Sequence, residues 1–291
     1  MICIFCKEDS SDSKSIEHII PESLGNKDLI LPKGIVCDKC NQYFAVKVEK
    51  PMLEMKYFRN VRFRNNIKSK KGRNIPYKTL FPHKDGGWVD MYIDDNSIAI
   101  NGDDSHIINL IKDQKVNQMM FEVVDSLSKN NSHVSRFLAK SAIELFALKA
   151  GNNHANLDEV INMKELDPLR EYASYGIGDK WLYNQRRIYS EEDRFLDPVF
   201  HPEPYEVLHE LDFLFLESGI YYFTLVIMGI EYVINCGASE LDLFHNWLKE
   251  NKNKSPIQRG TEYMIKKDKI YNISVLLFSS FSSNTAKSFL S

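Results

Sequence analysis

Two pairs of cysteines near the start of the chain have the spacing of a metal site. Cys3 and Cys6 form one C-x-x-C pair, and Cys37 and Cys40 form the second. Four thiolates in two such pairs close a tetrahedral zinc site. The interval of 30 residues between the pairs exceeds the roughly 15–20 residues of simple zinc ribbons. The sequence therefore predicts a structural zinc ion with additional residues folded between its ligands.

Three polar side chains near the cysteines in sequence are of types that can take part in catalysis. Glu17 and His18 are adjacent to each other between the two pairs, and Asn41 directly follows the second pair. A carboxylate and an amide supply oxygen ligands for a hard cation, and an imidazole can transfer protons near neutral pH. We therefore expect the zinc to act as scaffold and this group to do the chemistry.

Length and composition favour one small and one larger domain. The chain has 291 residues, of which 43% are hydrophobic, enough for a buried core. Five cysteines, four of them in the two pairs, do not form a secreted disulfide framework. The longest uncharged apolar stretch, residues 218–230, is too short to cross a bilayer. The first residues contain no basic segment followed by an apolar run, so we expect no signal peptide. We expect a soluble, cytoplasmic protein without a membrane partner.

Positive charge is concentrated in residues 55–84, here called the basic segment. It has no Asp or Glu but ten basic residues: Lys56, Arg59, Arg62, Arg64, Lys68, Lys70, Lys71, Arg73, Lys78 and Lys84. Such a strip can bind a polyanion locally although the net charge of the chain is −3. We predict nucleic-acid contacts for the first eight of these residues. The alternative is a solvated basic loop.

Aromatic residues are interleaved with these charges. Tyr57, Phe58, Phe63 and Tyr77 would either stack on bases or pack beneath the strip. The three tryptophans are expected to pack in the core rather than to form stacking platforms; they are Trp88, Trp181 and Trp247.

Hydrophobic patterning predicts a mixed α+β fold. Near the cysteines we expect strands at 2–5 and 15–20 and a helix from 38 or 41 to 50, which Pro51 ends. Further on we expect a hairpin at 88–93 and 97–100, a core helix over about 134–148, strands at 220–228 and 230–235, and a helix at 241–248. The predicted domains are a zinc module at 1–54, a basic segment or linker at 55–85, and an α+β domain at 86–291.

The N-terminal motifs together resemble a known nuclease family. The order Cys3-x-x-Cys6, Glu17-His18-Ile19-Ile20-Pro21 and Cys37-x-x-Cys40-Asn41 is similar to the zinc-stapled HNH endonucleases, over about the first 50 residues. The resemblance implies a ββα-metal core, a treble-clef variant. It also implies that His18 takes a proton from the attacking water, and that Glu17 and Asn41 hold a catalytic Mg²⁺ or Mn²⁺ distinct from the zinc.

One position departs from the family pattern. Where the family has a middle Asn, which steadies the loop and orients the histidine, this chain has Pro32. Asn26 is the candidate substitute, and a backbone carbonyl could equally fix the His18 tautomer. We expect loss of the zinc ligands to unfold about the first 50 residues and to spare much of the rest.

Three functional hypotheses follow. The first is a metal-dependent endonuclease that cuts DNA, and the resemblance favours double-stranded DNA as the substrate. Residues 86–291 would then regulate the nuclease, form a homodimer or dock a partner. The resemblance extends by analogy to bacterial anti-phage effectors. The second is a non-catalytic, zinc-stabilised DNA-binding module. The third is a nuclease subunit gated by a protein partner in a nucleic-acid-guided assembly.

Overall fold

The computed structural model divides the chain into two compact units. Unit 1 comprises Met1–Pro21, Asn26–Met52 and Ser128–Ile270, and unit 2 comprises Glu22–Gly25, Leu53–Leu127 and Tyr271–Ser291. The structure describes residues 1–94, 97–100, 105–116, 118–124, 131–151, 154–178, 180–191, 193–197, 201–206, 208–257, 264–267 and 276–277. The sequence predicts a domain at 86–291, and these units group residues 128–270 with most of the N-terminal module. The predicted domain bounds stay a prediction.

The N-terminal part of unit 1 has the element order strand, strand, helix. Strand β1 (Glu17–His18) pairs antiparallel with β2 (Ile30–Leu31), and helix α1 (Asp38–Phe44) follows. The expected strand at 2–5 is wrong: apart from one bridge between Ile2 and Asp9, the chain turns there. The expected strand at 15–20 is limited to the two residues of β1, because β2 offers only two partners.

Pro51 does not end the helical segment. A π-helical turn (Ala45–Glu49) follows α1, and α2 (Lys50–Leu53) continues beyond the proline. Pro51 occupies the first turn of α2, where its missing N–H is tolerated. The helix therefore runs three residues further than expected from the sequence.

Four α-helices and two antiparallel sheets lie in the described remainder of unit 1. The helices are α5 (Ser132–Ala150), α6 (His154–Asn162), α7 (Asp167–Tyr175) and α8 (Asp242–Glu250). Asn131 caps α5, and its side chain accepts hydrogen bonds from the His133 and Val134 amides. The strands are β7 (Tyr183–Arg187), β8 (Asp193–Asp197), β9 (His201–Tyr205), β10 (His209–Phe215), β11 (Tyr221–Ile227), β12 (Ile230–Asn235) and β13 (Met264–Lys267). One sheet has the order β10-β11-β12-β7 and a second has the order β13-β8-β9. The predicted core helix, strand pair and α8 are confirmed.

Unit 2 contains a five-stranded sheet in the order β14-β6-β3-β4-β5. Its elements are α3 (Lys56–Arg64), β3 (Tyr77–Phe81), β4 (Gly87–Asp94), β5 (Ser97–Ile100), α4 (Ser105–Lys112), β6 (Gln118–Phe121) and β14 (Leu276–Leu277). Residues of β3 alternate between buried and exposed positions, as expected for a sheet with one packed face. Phe63 of α3 joins the buried cluster on that face. The predicted hairpin of β4 and β5 is confirmed.

Helices and strands are mixed in both units, which confirms the predicted α+β class. Within the described residues, no helix combines the length and apolar character needed to span a membrane.

Candidate metal centre and active site

A tight turn and a helix start bring the four cysteine sulfurs together. The Cys3 N–H donates to the Glu8 carbonyl, and the Lys7 N–H donates to the Cys3 carbonyl, which closes the turn carrying the first pair. Cys37 caps α1, where its sulfur accepts from the Cys40 N–H at 3.4 Å. The sulfur atoms of all four cysteines lie within 4.8 Å of one another.

The dimensions of this cysteine cluster fit a tetrahedral zinc ion. With Zn–S bonds of about 2.3 Å, neighbouring sulfurs in a tetrahedron lie about 3.8 Å apart. The Cys6 and Cys37 sulfurs are 3.7 Å apart, and the Cys37 N–H donates to the Cys3 sulfur at 3.4 Å. A hydrogen bond from Cys40 lowers the pKa of Cys3 to about 4, while burial raises the pKa of Cys6 to about 11. The cluster can therefore hold a structural zinc, as predicted.

Strand β1 directs Glu17 and His18 to opposite faces. Successive side chains of a strand alternate, and Glu17 is buried whereas His18 is half-buried. On one edge the strand pairs with β2 and is extended by the bond from the Ile19 N–H to the Leu29 carbonyl. His18 is thus carried on a strand fixed against its hairpin partner.

The Glu17 carboxylate faces the buried ammonium of Lys140 in α5. The Lys140 Nζ lies 2.6 Å from Glu17 Oε1, 2.9 Å from Glu49 Oε1 and 2.9 Å from Glu144 Oε2. It also donates to the His18 carbonyl at 3.1 Å. The Lys140 side chain has no exposed surface, and that of Glu17 is 7% exposed. We call these four side chains the Lys140 cluster.

The charges of the Lys140 cluster depend on one another. Burial raises the pKa of Glu17 and raises that of Glu144 well above its usual range. Burial alone would lower the pKa of Lys140, but attraction to Glu144, Glu17 and Glu49 raises it well above its ordinary value. Lys140 therefore carries its proton and is the cation that balances three carboxyl groups.

Asn41 presents its amide next to β1. Its Nδ2 donates to the Ile16 carbonyl at 3.1 Å, so the side chain of α1 reaches the residue that precedes Glu17. With Nδ2 engaged, Oδ1 is the atom that suits a divalent cation. Glu17 fits that cation less well, since one carboxylate oxygen is bound to Lys140 and the side chain is nearly inaccessible. The metal role predicted for Glu17 stays a prediction.

The same stretch of chain matches a family of known proteins. Residues 3–57 match the family model described as HNH endonuclease. The HNH resemblance is confirmed for this segment. No curated protein and no solved structure matches the chain. Residues 3–57 are called the HNH module below.

Asn26 steadies the loop between the two strands of the HNH module. Its Nδ2 donates to the Ile20 carbonyl at 2.7 Å and the Leu29 carbonyl at 3.0 Å, and its Oδ1 accepts from the Asp28 and Leu29 amides. The side chain is only 3% exposed. Asn26 thus ties the loop that the middle Asn of the family would steady. Pro32, at the family's own position, is exposed.

The residues predicted to bind nucleic acid differ in exposure. Arg62 is buried, Arg59 donates to the Pro76 carbonyl, Arg64 donates to Asn60, and Lys56 pairs with Glu122. Lys68 is half-buried. Four of the eight lie exposed: Lys56, which pairs with Glu122, and three in the stretch between α3 and β3, namely Lys70, Lys71 and Arg73. These three are accessible to a phosphate backbone.

The interleaved aromatic residues are core residues. Tyr57, Phe58, Phe63 and Tyr77 are each at most 7% exposed, so they pack beneath the strip rather than stack on bases. The expectation for Trp88 is wrong, because this side chain is 62% exposed on the face of β4 opposite the buried Val89. Trp181 and Trp247 are buried as expected.

Sequence reasoning missed Lys140, Glu49 and Glu144. A signal was available in α5, whose other neighbours in this stretch are apolar or small. A lysine and a glutamate four residues apart within such a helix must be buried, and buried charges need partners. That rule predicts a polar cluster, although it does not name Glu17 as its partner.

Proposed function

We propose that the HNH module hydrolyses DNA phosphodiester bonds. The match of residues 3–57 to the HNH endonucleases carries this proposal. His18 is partly accessible on β1, Asn41 reaches the same strand from α1, and a cysteine cluster of zinc dimensions fastens the start of that helix. Each of these features supports the proposal.

In the proposed reaction, His18 acts on the attacking water. Its imidazole accepts a proton from the water as the oxygen approaches phosphorus. Asn41 Oδ1 would hold the divalent cation of the site, Mg²⁺ or Mn²⁺. When bound, that ion stabilises negative charge on the phosphate and the leaving oxygen. The zinc serves the fold and takes no part in the chemistry.

We assign DNA contacts to the exposed part of the basic segment. Lys70, Lys71 and Arg73 offer charge without an acidic residue nearby in sequence, and phosphate contacts of this kind are independent of base sequence. We favour double-stranded DNA. A role in bacterial antiviral defence extends this proposal by analogy, and plating phage on cells that express wild type or His18→Ala tests it.

Plasmid cleavage by the full chain tests the proposed activity. With Mg²⁺ or Mn²⁺ we expect nicked or linear product and none with EDTA. For His18→Ala we expect a loss of at least about 100-fold in rate, the lower end of the range for a missing general base. His245→Ala is the matched control, since His245 is exposed on α8 and should be neutral. Equal rates for wild type and His18→Ala would refute the assignment.

A non-catalytic DNA-binding module is the second candidate. The engagement of Glu17 by Lys140 favours it, because a family position for metal binding is occupied by an internal cation. In that case DNA binding persists in His18→Ala and no metal yields product.

A further inference from the structure

We propose that Lys140 is a positioning residue of the HNH site, which it fixes by clamping the strand that carries His18 to the helical segment that carries Asn41. The inference rests on the proposed nuclease function for its catalytic consequence, while the clamp itself is a property of the fold.

The clamp consists of the contacts made by one ammonium group, Lys140 Nζ. Lys140 Nζ binds β1 twice, at the Glu17 carboxylate and at the His18 carbonyl. It binds the helical segment once, at Glu49, the last residue of the π-helical turn after α1. Glu144, one turn along α5, holds the ammonium from behind at 2.9 Å. One buried cation thus joins both halves of the site.

Strand β1 needs such support because its hairpin is minimal. Two residues of β1 pair with two of β2, and a two-stranded ribbon of this length is not stable alone. On α5, Ser141 donates to the Ile19 carbonyl at 2.8 Å, next to the Lys140 bond to His18. Helix α5 therefore serves as the second support of the catalytic strand.

The supporting helix is well suited to hold a fixed geometry. It has 19 residues, a side-chain cap at Asn131 and buried residues along most of its length. A site held by a packed helix is more tightly defined than one held by loops, and displacement of a catalytic group by about 1 Å can cost on the order of 100-fold in rate. Lys140 transmits that rigidity to His18.

The burial of the Lys140 cluster needs an explanation, because its side chains are charged. Four ionisable side chains with at most 14% exposure are costly to bury unless they are paired with good geometry. Met or Leu at these positions would fill the space without that cost. The charged arrangement is explained if its directional bonds set the positions of β1 and the π-helical turn.

Hydrogen–deuterium exchange of the full chain tests the clamp directly. The chain keeps its zinc in this experiment, and only Mg²⁺ and Mn²⁺ are left out. For Lys140→Met we expect faster amide exchange, by roughly tenfold or more, in residues 16–20 and 45–49, with β10–β12 unchanged and one zinc retained per chain. Lys149→Met is the matched control: Lys149 lies on the same helix but is 53% exposed, paired with Asp212. Unchanged exchange in the two peptides would overturn the proposal.

Kinetics separate positioning from a merely structural role. Lys140→Met should lower kcat by roughly 10- to 100-fold while the Kd for DNA in EDTA stays within twofold, and Lys140→Arg should recover part of kcat. If kcat is unchanged although amide exchange is faster in residues 16–20 and 45–49, Lys140 has a structural role only and the positioning role is overturned. Should wild type not cut DNA, the nuclease proposal fails and the exchange result still decides the clamp.

A milder variant covers the case in which Lys140→Met does not fold. Glu49→Gln removes one charge from the clamp and leaves Lys140 with Glu17 and Glu144. We expect faster exchange in residues 45–49 and a kcat reduced by about tenfold, with zinc retained. If both match wild type, the link between the helical segment and Lys140 has no positioning role.

Discussion

At the scale of single residues, the structure gives Glu17 an alternative to metal binding. For Glu17→Gln we expect the Mg²⁺ concentration for half-maximal cleavage to stay within twofold of wild type, because Lys140 already occupies the carboxylate. A metal titration of plasmid cleavage measures this. Asn41→Ala is the comparison, and it should raise the Mg²⁺ requirement at least tenfold. A similar rise in Glu17→Gln would restore Glu17 as a metal ligand.

The same substitution has a definite pH signature. Burial raises the pKa of Glu17 in the folded state, so the folded chain holds this proton more tightly than the unfolded chain. Its contribution to stability is intact below the ordinary pKa of a glutamate and is lost as the pH rises through the raised value. A neutral glutamine avoids that loss. Denaturant unfolding should therefore show Glu17→Gln gaining stability relative to wild type between pH 4.5 and 7.5; a constant difference would contradict this.

How far the sequence predicts these residues depends on whether their partners are local. The four cysteines, His18 and Asn41 are recognisable because the motif and its spacing lie within about 40 residues. Asn26, which lies close to the motif in sequence, holds its loop through hydrogen bonds, and its role as substitute for the middle Asn stays a prediction. Lys140 lies 122 residues after His18, and no local pattern indicates which strand a buried lysine will meet.

At the scale of elements, the basic segment shows why charge count alone misleads. Positions 57, 58 and 63 of α3 are aromatic and buried. The helix therefore has a packed face, and Arg62 is buried along with it. The sequence predicted the charges, but the periodicity of α3 decides which of them face outward. Trp88 shows the opposite case, since a strand with one packed face leaves its alternate residues exposed whatever their hydrophobicity.

DNA binding should therefore depend on the stretch after α3. Replacing Lys70, Lys71 and Arg73 with Glu should weaken DNA binding at least tenfold. It should also make the negative slope of log K against log salt shallower, by about one per lost phosphate contact. Fluorescence anisotropy at several salt concentrations measures both. The control makes the same charge change on exposed lysines of unit 1: Lys249, Lys252 and Lys254. Equal slopes in the two triple variants would place the DNA elsewhere.

At the scale of the whole molecule, most of the HNH module and residues 128–270 are parts of one unit. Arg170 of α7 donates to the Ile4 carbonyl at 2.9 Å, and Lys7 pairs with Asp167 at 2.7 Å. With the α5 contacts to β1, these bonds tie the turn of the first cysteine pair and the strand after it to helices more than 100 residues away. Composition marks no such connection, which is why the sequence suggested a separable module.

Loss of zinc should therefore reach beyond the first 50 residues. Structural zinc contributes apparent binding energies of about 10–16 kcal/mol, comparable to the whole stability of a typical domain. In Cys40→Ser we expect the zinc content to fall below one per chain, and amide exchange to accelerate in α5 and α7 as well as in residues 1–52. Unit 2 has its own buried cluster and should keep its protection. Cys236→Ser, the same change at a buried cysteine outside the cluster, should retain one zinc. If α5 and α7 exchange at the wild-type rate in zinc-free Cys40→Ser, the module is separable after all, and the supports that α5 lends to β1 are dispensable for the rest of unit 1.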